Sequence, residues 1–411
     1  MINLEIPKKL QMLVTQSNQV ANEVFRPNSR KYDRAEHTYP KELDMLAALI
    51  DGMNESGALG GAGAGSVSQG ANASKNGSGN RNGSNMASLL GLIELCWGDV
   101  GLLLTMPRQG LGQAAIAAVA NEEQLARFGG KWAAMAITEP EAGSDSAAIR
   151  TTAVLDESDP AHPAYVLNGE KIFVTSGDRA ELIVVWASLD RSAGRGAIKS
   201  FVVERSNPGL KLDRLEHKLG IRASDTANFV LEDCRVPKEN LLGSPEIQTS
   251  KEGFAGVMQT FDNTRPLVAG MAIGVARACL ERTRELLSEA GVSVDYDAPP
   301  HSQSAAASEF IAMESDWEAA RLLTLQAAWM ADNKKPNSLH ASMAKAKAGR
   351  VGTDVALRCV ALCGAIGYGE GELLETWARD AKILDLFEGT QQIQLLIVAR
   401  HLLGKSSAEL K

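Results

Sequence analysis

Tyr165-Val-Leu-Asn168-Gly169-Glu-Lys171-Ile-Phe173-Val-Thr175 is the stretch on which the fold turns, because here the hydrophobic period changes from helical to extended. Two short runs rich in aromatic and β-branched residues flank Asn168-Gly169, a hairpin signal, since a tight two-residue turn needs φ > 0 at both central positions. Runs of the same kind follow or precede it at Arg150 to Leu155, Leu182 to Ser188, Ser200 to Val203 and Phe229 to Leu231. Residues 135–245 are therefore expected to form a β-sandwich or barrel domain. Upstream, Leu10, Leu13, Val20 and Val24, then Leu89, Leu92, Ile93 and Cys96, recur at helical spacing and mark an N-terminal helical domain over 1–134. Downstream, helical patterns run through Leu267 to Leu287, Phe310 to Met330, Ala341 to Cys363, Leu373 to Leu386 and Gln391 to Leu403. Their lengths and short connections suit an antiparallel four-helix bundle with a trailing helix over 246–411. The chain reads as mainly α with a β domain set between two helical ones.

Between the first two helical patterns lies a run of Gly, Ala, Ser and Asn over residues 57–85 that has too few large apolar residues to make a core, so a flexible surface loop is expected. Its glycines miss the G-x-G-x-x-G spacing and follow no strand, which excludes a dinucleotide fold there. With 411 residues, 45% of them hydrophobic and 22% charged, the chain can bury a large core. Its net charge of −8 disfavours nucleic acid and anionic lipid as partners. Neither an apolar leader nor a spanning helix of about 20 apolar residues stands out, so no integral membrane segment is expected. Five cysteines, an odd and scattered set, do not read as a disulfide framework, and a reducing, cytoplasmic setting is expected. Cys359 and Cys363 share a helix face as packed thiols. The six histidines are far apart in sequence and point to neither a metal nor a triad. Gly404-Lys-Ser406 is no phosphate loop, because Ala399 stands where its first glycine belongs.

Three stretches can carry chemistry. Ile137-Thr138-Glu-Pro-Glu-Ala-Gly-Ser144-Asp145 joins a short strand to a loop whose hydroxyls and N–H groups can grip a planar ring or a polar tail; alone, it is equally a turn. Strand alternation puts Phe173 and Thr175 on one face, where an aromatic beside a hydroxyl can flank a conjugated ring or simply be core. Glu388, just before the last helical pattern, taken alone is a helix-terminal charge that favours the macrodipole.

The strings Thr138-Glu-Pro-Glu-Ala-Gly-Ser-Asp145, Asn168-Gly-Glu-Lys171, Lys218-Leu-Gly-Ile-Arg-Ala-Ser-Asp-Thr226, Arg235-Val-Pro237, Arg379-Asp-Ala-Lys-Ile383 and Phe387-Glu-Gly-Thr-Gln-Gln-Ile-Gln394 occur in this order across the three regions. Together they make the chain resemble the acyl-CoA dehydrogenase family from end to end, least around the Gly/Ser loop and Gly291 to Ser308. The resemblance implies FAD as cofactor and α,β-dehydrogenation of an acyl-CoA thioester to a trans-2-enoyl thioester, with electrons passing to an electron-transferring flavoprotein. It implies Glu388 as the catalytic base for the α-proton, while that residue's own N–H and a ribityl hydroxyl of FAD polarise the thioester carbonyl. Thr138, Ser144, Phe173, Thr175, Thr390 and Gln392 match cofactor-binding positions, Phe173 standing where the family usually has Trp. Ser144, Asp262, Thr264, Arg265, Phe387 and Gly389 match substrate-binding positions. For Asp262 and Arg265, an i, i+3 ion pair on a helix remains open.

The pattern breaks at two places. Family homotetramers complete each FAD site with an Arg-x-x-Phe-Gly stretch and a Gln-x-x-Gly-Gly-x-Gly stretch from a neighbouring subunit. Here Gly291-Val-Ser-Val-Asp-Tyr-Asp-Ala-Pro-Pro-His-Ser-Gln-Ser304 lacks the arginine, and Ala361 and Ala365 replace the glutamine and one glycine. The resemblance then implies a catalytic subunit of a heteromer, two copies of this chain with two of a related one, as in actinobacterial members that act on unusual or steroid-linked CoA esters. A diverged homotetramer is the alternative assembly. Two other readings keep the fold: a non-catalytic stabilising subunit, and an acyl-CoA oxidase that passes electrons to oxygen. Acyl-chain length is not legible in any motif.

Overall fold

A computed structural model describes residues 6–55, 83–108, 110–247, 255–406 and Glu409, with side-chain surroundings for all of these except 49–55, 255–263 and 300. Among the described residues seven helices come first: α1 (Lys8–Val20), α2 (Arg26–Arg34), α3 (Glu42–Glu55), α4 (Ser84–Gly98), α5 (Val100–Leu104), α6 (Leu111–Val119) and α7 (Glu122–Phe128). A π-helical turn, Ala21–Phe25, joins α1 to α2 without a break in helical backbone, and Pro27, which has no N–H to donate, lies just after it, where the altered helical ladder accommodates the missing donor. Helix α7 starts with a capping box, Asn121 and Gln124 satisfying each other's backbone N–H groups.

Among the described residues eight strands follow, β1 (Ala133–Ala136), β2 (Thr152–Asp156), β3 (Ala164–Thr175), β4 (Leu182–Ser188), β5 (Ile198–Glu204), β6 (Leu210–Leu215), β7 (Thr226–Pro237) and β8 (Leu241–Leu242). They form one sheet in the order β6-β7-β3-β2-β4-β5-β8, with β1 parallel to β4. The sheet curls over a shared core in which Tyr165 of β3 meets Phe201 of β5 edge to face, ring centroids 5.1 Å apart. Every residue of β4 is buried, as suits a central strand with apolar layers on both faces.

The hairpin expected at Asn168-Gly169 is absent. β3 runs straight through it, pairing along β2 on one side and β7 on the other, with a register shift between Leu167 and Gly169. Gly169 has φ 153°, and Asn168 exchanges hydrogen bonds with Asp233, whose N–H reaches Asn168 Oδ1 at 2.8 Å. Gly and Asn serve a β-bulge as well as a turn, and two long partner strands decide for the bulge. A second shift, between Lys171 and Val174, leaves Phe173 at φ 57°. Simple alternation therefore cannot place Phe173 relative to Thr175.

After the sheet the described residues form six helices, α8 (Ala255–Glu289), α9 (Ala305–Asp332), α10 (Ser338–Tyr368), α11 (Leu374–Ala381), α12 (Ile383–Leu386) and α13 (Gln391–Leu403). The single helix expected over Leu373 to Leu386 is two, broken at Lys382. The helices before and after the sheet share one core: Leu89, Leu92, Ile93 and Cys96 of α4 pack with Ile273 and Ala276 of α8, Phe310 of α9 and Val355 of α10. Gly274 permits the close approach, since a Cβ there would collide with the Ile93 carbonyl. Of the loop read over 57–85, residues 57–82 lie outside the described residues. Ser84 and Asn85 belong to α4, whose start is capped from afar: the Gly83, Asn85 and Met86 N–H groups all donate to the Asp332 carboxylate at the end of α9. Among the described residues α10 alone is long and apolar enough to cross a membrane; its Ala344, Ala348, Val351, Val355 and Cys359 face the helical core.

Candidate active site

The chain leaves α12 through Phe387 in extended conformation and then makes two left-handed residues in succession, Glu388 at φ 56° and Gly389 at φ 91°. Thr390 then caps α13, its hydroxyl accepting from the Ile393 N–H. Glycine takes that conformation freely, but for glutamate it costs about 1–3 kcal/mol and persists only where the surroundings over-determine it. Two side chains do so. Lys345 Nζ, from α10, donates to the carbonyls of Gly389 (2.7 Å) and Asp385 (3.2 Å). Gln394 Nε2, from α13, donates to the carbonyls of Glu388 and Gly389, both at 3.2 Å.

The Glu388 carboxylate accepts a 2.8 Å hydrogen bond from Thr264 Oγ1 on α8. Its bond thus goes across the bundle, while Thr390 serves the first turn of α13, so the helix-terminal reading of Glu388 gives way to one in which its carboxylate is held between helices. Burial pushes its pKa above the ordinary carboxylate range, against the Thr264 hydroxyl and the positive charges of Arg265 and Lys345. A carboxyl so placed is a base strengthened by desolvation. Lys345 itself is pulled down to about 8 by burial, opposed by Asp385 and Glu388. Arg265 is buried and reaches Ser342 Oγ at 3.5 Å. Phe387 is half-buried against the helical core. The Asp262 side chain lies outside the described residues, so the ion pair with Arg265 does too.

On the sheet, the Ile172 N–H donates to the Thr138 carbonyl at 2.9 Å, which sets Thr138 beside the strand that carries Phe173 and Thr175. Phe173 is 59% exposed, its N–H held by Asn228 Oδ1 at 3.1 Å, while Thr138 and Thr175 are half-buried. An uncovered aromatic ring and two hydroxyls fit a conjugated ring with a polar edge. Ser144 is exposed on the loop after Thr138, and Gln392 is exposed on the first turn of α13.

Sequence reasoning missed the support beneath both halves. Lys171, fully buried, pairs with Glu139 at 2.6 Å and donates to the Ile137 carbonyl. Glu139 also accepts from the N–H groups of Arg150 and Thr151 and from the Thr151 hydroxyl, which ties the Thr138–Asp145 loop down. Burial acts against the Glu139 charge, yet Lys171 and these donors hold its pKa below the ordinary range. Lys345 had one signal, a cation on the buried stripe Ala341, Ala344, Lys345, Ala348. Gln394 had none beyond its place in the last motif.

Elsewhere, Cys359 is a buried thiol, its pKa pushed up to about 12 by burial, with Met313 Sδ 3.9 Å away. The histidines are less scattered than the sequence indicates: Glu36, His37 and His217 bring their ligand-type atoms within 4.8 Å of one another at the meeting of the α2–α3 connection and the β6–β7 loop.

Residues 134–234 match the family model described as the acyl-CoA dehydrogenase middle domain, and residues 251–403 match the acyl-CoA dehydrogenase C-terminal domain. The human short-chain specific acyl-CoA dehydrogenase, mitochondrial, is 33% identical over 98% of this chain and 92% of its own length. The mouse protein of the same name is 40% identical, in a match covering 67% of this chain and 64% of that protein. Among solved structures, a glutaryl-coenzyme A dehydrogenase with glutaryl-CoA superposes with a TM-score of 0.81 at 26% identity, covering 99% of this chain and 98% of the other. Butyryl-CoA dehydrogenase from Megasphaera elsdenii gives a TM-score of 0.76 at 28% identity, covering 98% and 100%.

Proposed function

This chain belongs to the acyl-CoA dehydrogenase family, and on that footing we propose that it dehydrogenates an acyl-CoA thioester between its α and β carbons with Glu388 as the base. The observation that carries the reading is the Glu388 turn: a strained, doubly clamped backbone presenting a desolvated carboxylate to Thr264. A thioester α-proton is weakly acidic, so the base must be both strong and aimed. Glu388 takes the proton from C2, and the electron pair it leaves forms the double bond to C3. FAD, the cofactor of this family, supplies when bound the acceptor, flavin N5, for the hydride that leaves C3. Thr138, Phe173 and Thr175 on the sheet, with Thr390 and Gln392 on α13, are the residues that would hold its ring system. Thr264 donates a hydrogen bond to the carboxylate and Arg265 offsets its charge, and Ser144, Phe387 and Gly389, with Asp262 by its place in the family pattern, are the residues that would meet the thioester. The relatives' names make short acyl chains the first substrates to try.

The assembly proposed is a heterotetramer in which a related chain completes the adenine side of the FAD site. The stretch after α8 supports this: Gln303 Nε2 bonds the Asp295 carbonyl at 2.6 Å, and Tyr296 donates to Glu314. It is thus folded back on its own chain and carries Asp295 and Asp297 in place of a cation. An electron-transferring flavoprotein is the proposed acceptor. The purified protein, given butyryl-CoA and an artificial electron acceptor, should yield crotonyl-CoA by mass spectrometry. No enoyl product over a series of acyl lengths, from the chain alone and from any co-purifying complex, contradicts the activity. A stable homotetramer with one FAD per chain contradicts the heteromer.

A further inference from the structure

We propose that Lys345 is a positioning residue for Glu388: by fastening the carbonyls of Asp385 and Gly389 to α10, it holds the turn that aims the carboxylate at its substrate. This rests on the reading of Glu388 as the base. Lys345 is 1% exposed, and an ammonium group is tolerated at such a depth only when it is well hydrogen-bonded. Its two acceptors bracket Glu388, one three residues before it and one immediately after. A carboxylate partner for simple ion pairing lies close by in Asp385, but that carboxylate takes the Lys382 ammonium at 3.1 Å, and Lys345 instead binds the Asp385 main chain. Lys345 therefore acts on backbone conformation, at the only turn in which two successive residues among the described ones have positive φ. Gln394 bonds the same Gly389 carbonyl from α13, so the peptide after Gly389 is gripped from two helices, while Gln394 also bonds the Glu388 carbonyl. The groups facing Glu388 are Thr264 and Arg265 from α8 and Lys345 from α10, with Asp385 behind the turn on α12. Removing Lys345 leaves Arg265 as the remaining nearby cation. The carboxylate then both wanders and becomes harder to ionise.

The test uses the flavin-loaded protein as purified, with any co-purifying chain, and the variants K345M, K345Q, K345R and E388Q. K345M keeps the stem and loses the donors; should it fail to fold, K345Q, whose amide is too short to span both carbonyls, carries the test. The rate of flavin reduction by butyryl-CoA should fall about 10²-fold, with little change in thioester affinity, because an aim error of an ångström costs that much. The acid limb of its pH profile should move to higher pH, and amide exchange across residues 386–391 should quicken. K345R should restore the position of the acid limb. A K345M or K345Q protein within about threefold of wild type, with an unmoved limb and unchanged exchange beside an inert E388Q, overturns the positioning role alone. An E388Q protein as fast as wild type overturns the base assignment and this inference together.

Discussion

Thr264 Oγ1 lies 2.8 Å from Glu388 Oε2, so a hydroxyl on α8 and an acid in a strained turn 124 residues later form one unit. The hydroxyl favours the ionised acid, while burial favours the neutral one. The carboxyl titrates above the ordinary range, and its base form is fully present only at pH above that raised value.

Replacing Thr264 with Val removes the hydrogen bond and keeps the shape. Glu388 should then titrate higher still, moving the acid limb of kcat/KM upward by about one pH unit or less, since a bond of this kind contributes about 1–1.5 kcal/mol. Steady-state rates across pH measure it. An unmoved limb would show that Thr264 does not tune the acid.

The buried Lys171–Glu139 pair should behave asymmetrically. K171M leaves the Glu139 carboxylate without its cation and should cost about 3–5 kcal/mol of stability, whereas K171M/E139Q should recover part of that loss. Urea unfolding of the three proteins decides it. Equal losses in single and double variants would mean that the Thr138–Asp145 loop is held by its N–H bonds alone.

Asp380 offers a test in pH. It accepts from the Ile221 N–H, and burial, with Asp99 adding to it, raises its pKa well above the ordinary range. A native pKa above the unfolded one means that the native state holds the extra proton. Its contribution to stability is therefore full below the ordinary carboxylate pKa of about 4 and is lost as pH rises through the raised value. D380N keeps an oxygen acceptor and cannot ionise, so its unfolding midpoint should fall less steeply with pH over that window. Parallel curves would contradict the assigned burial.

The order helices, sheet, helices was legible because hydrophobic period is a property of the chain itself: β4 and α13 lie where Leu182 to Ser188 and Gln391 to Leu403 place them. What local reading could not settle was decided by distant partners. Asn168-Gly169 became a bulge because β2 and β7 flank it, and Ser84 and Asn85 became helical because Asp332, about 250 residues on, supplies the cap. Glu388 is singled out in the sequence only through motif resemblance. Lys345 and Lys171 were missed because their acceptors include main-chain carbonyls and a carboxylate from remote segments, which carry no mark in the chain around them.

The most direct measurement is anaerobic mixing of the flavin-loaded protein with butyryl-CoA, comparing wild type with E388Q by flavin absorbance. If Glu388 is the base, wild type bleaches and E388Q bleaches slower by about 10³-fold or more, at similar thioester affinity. Bleaching of E388Q at the wild-type rate would contradict the account.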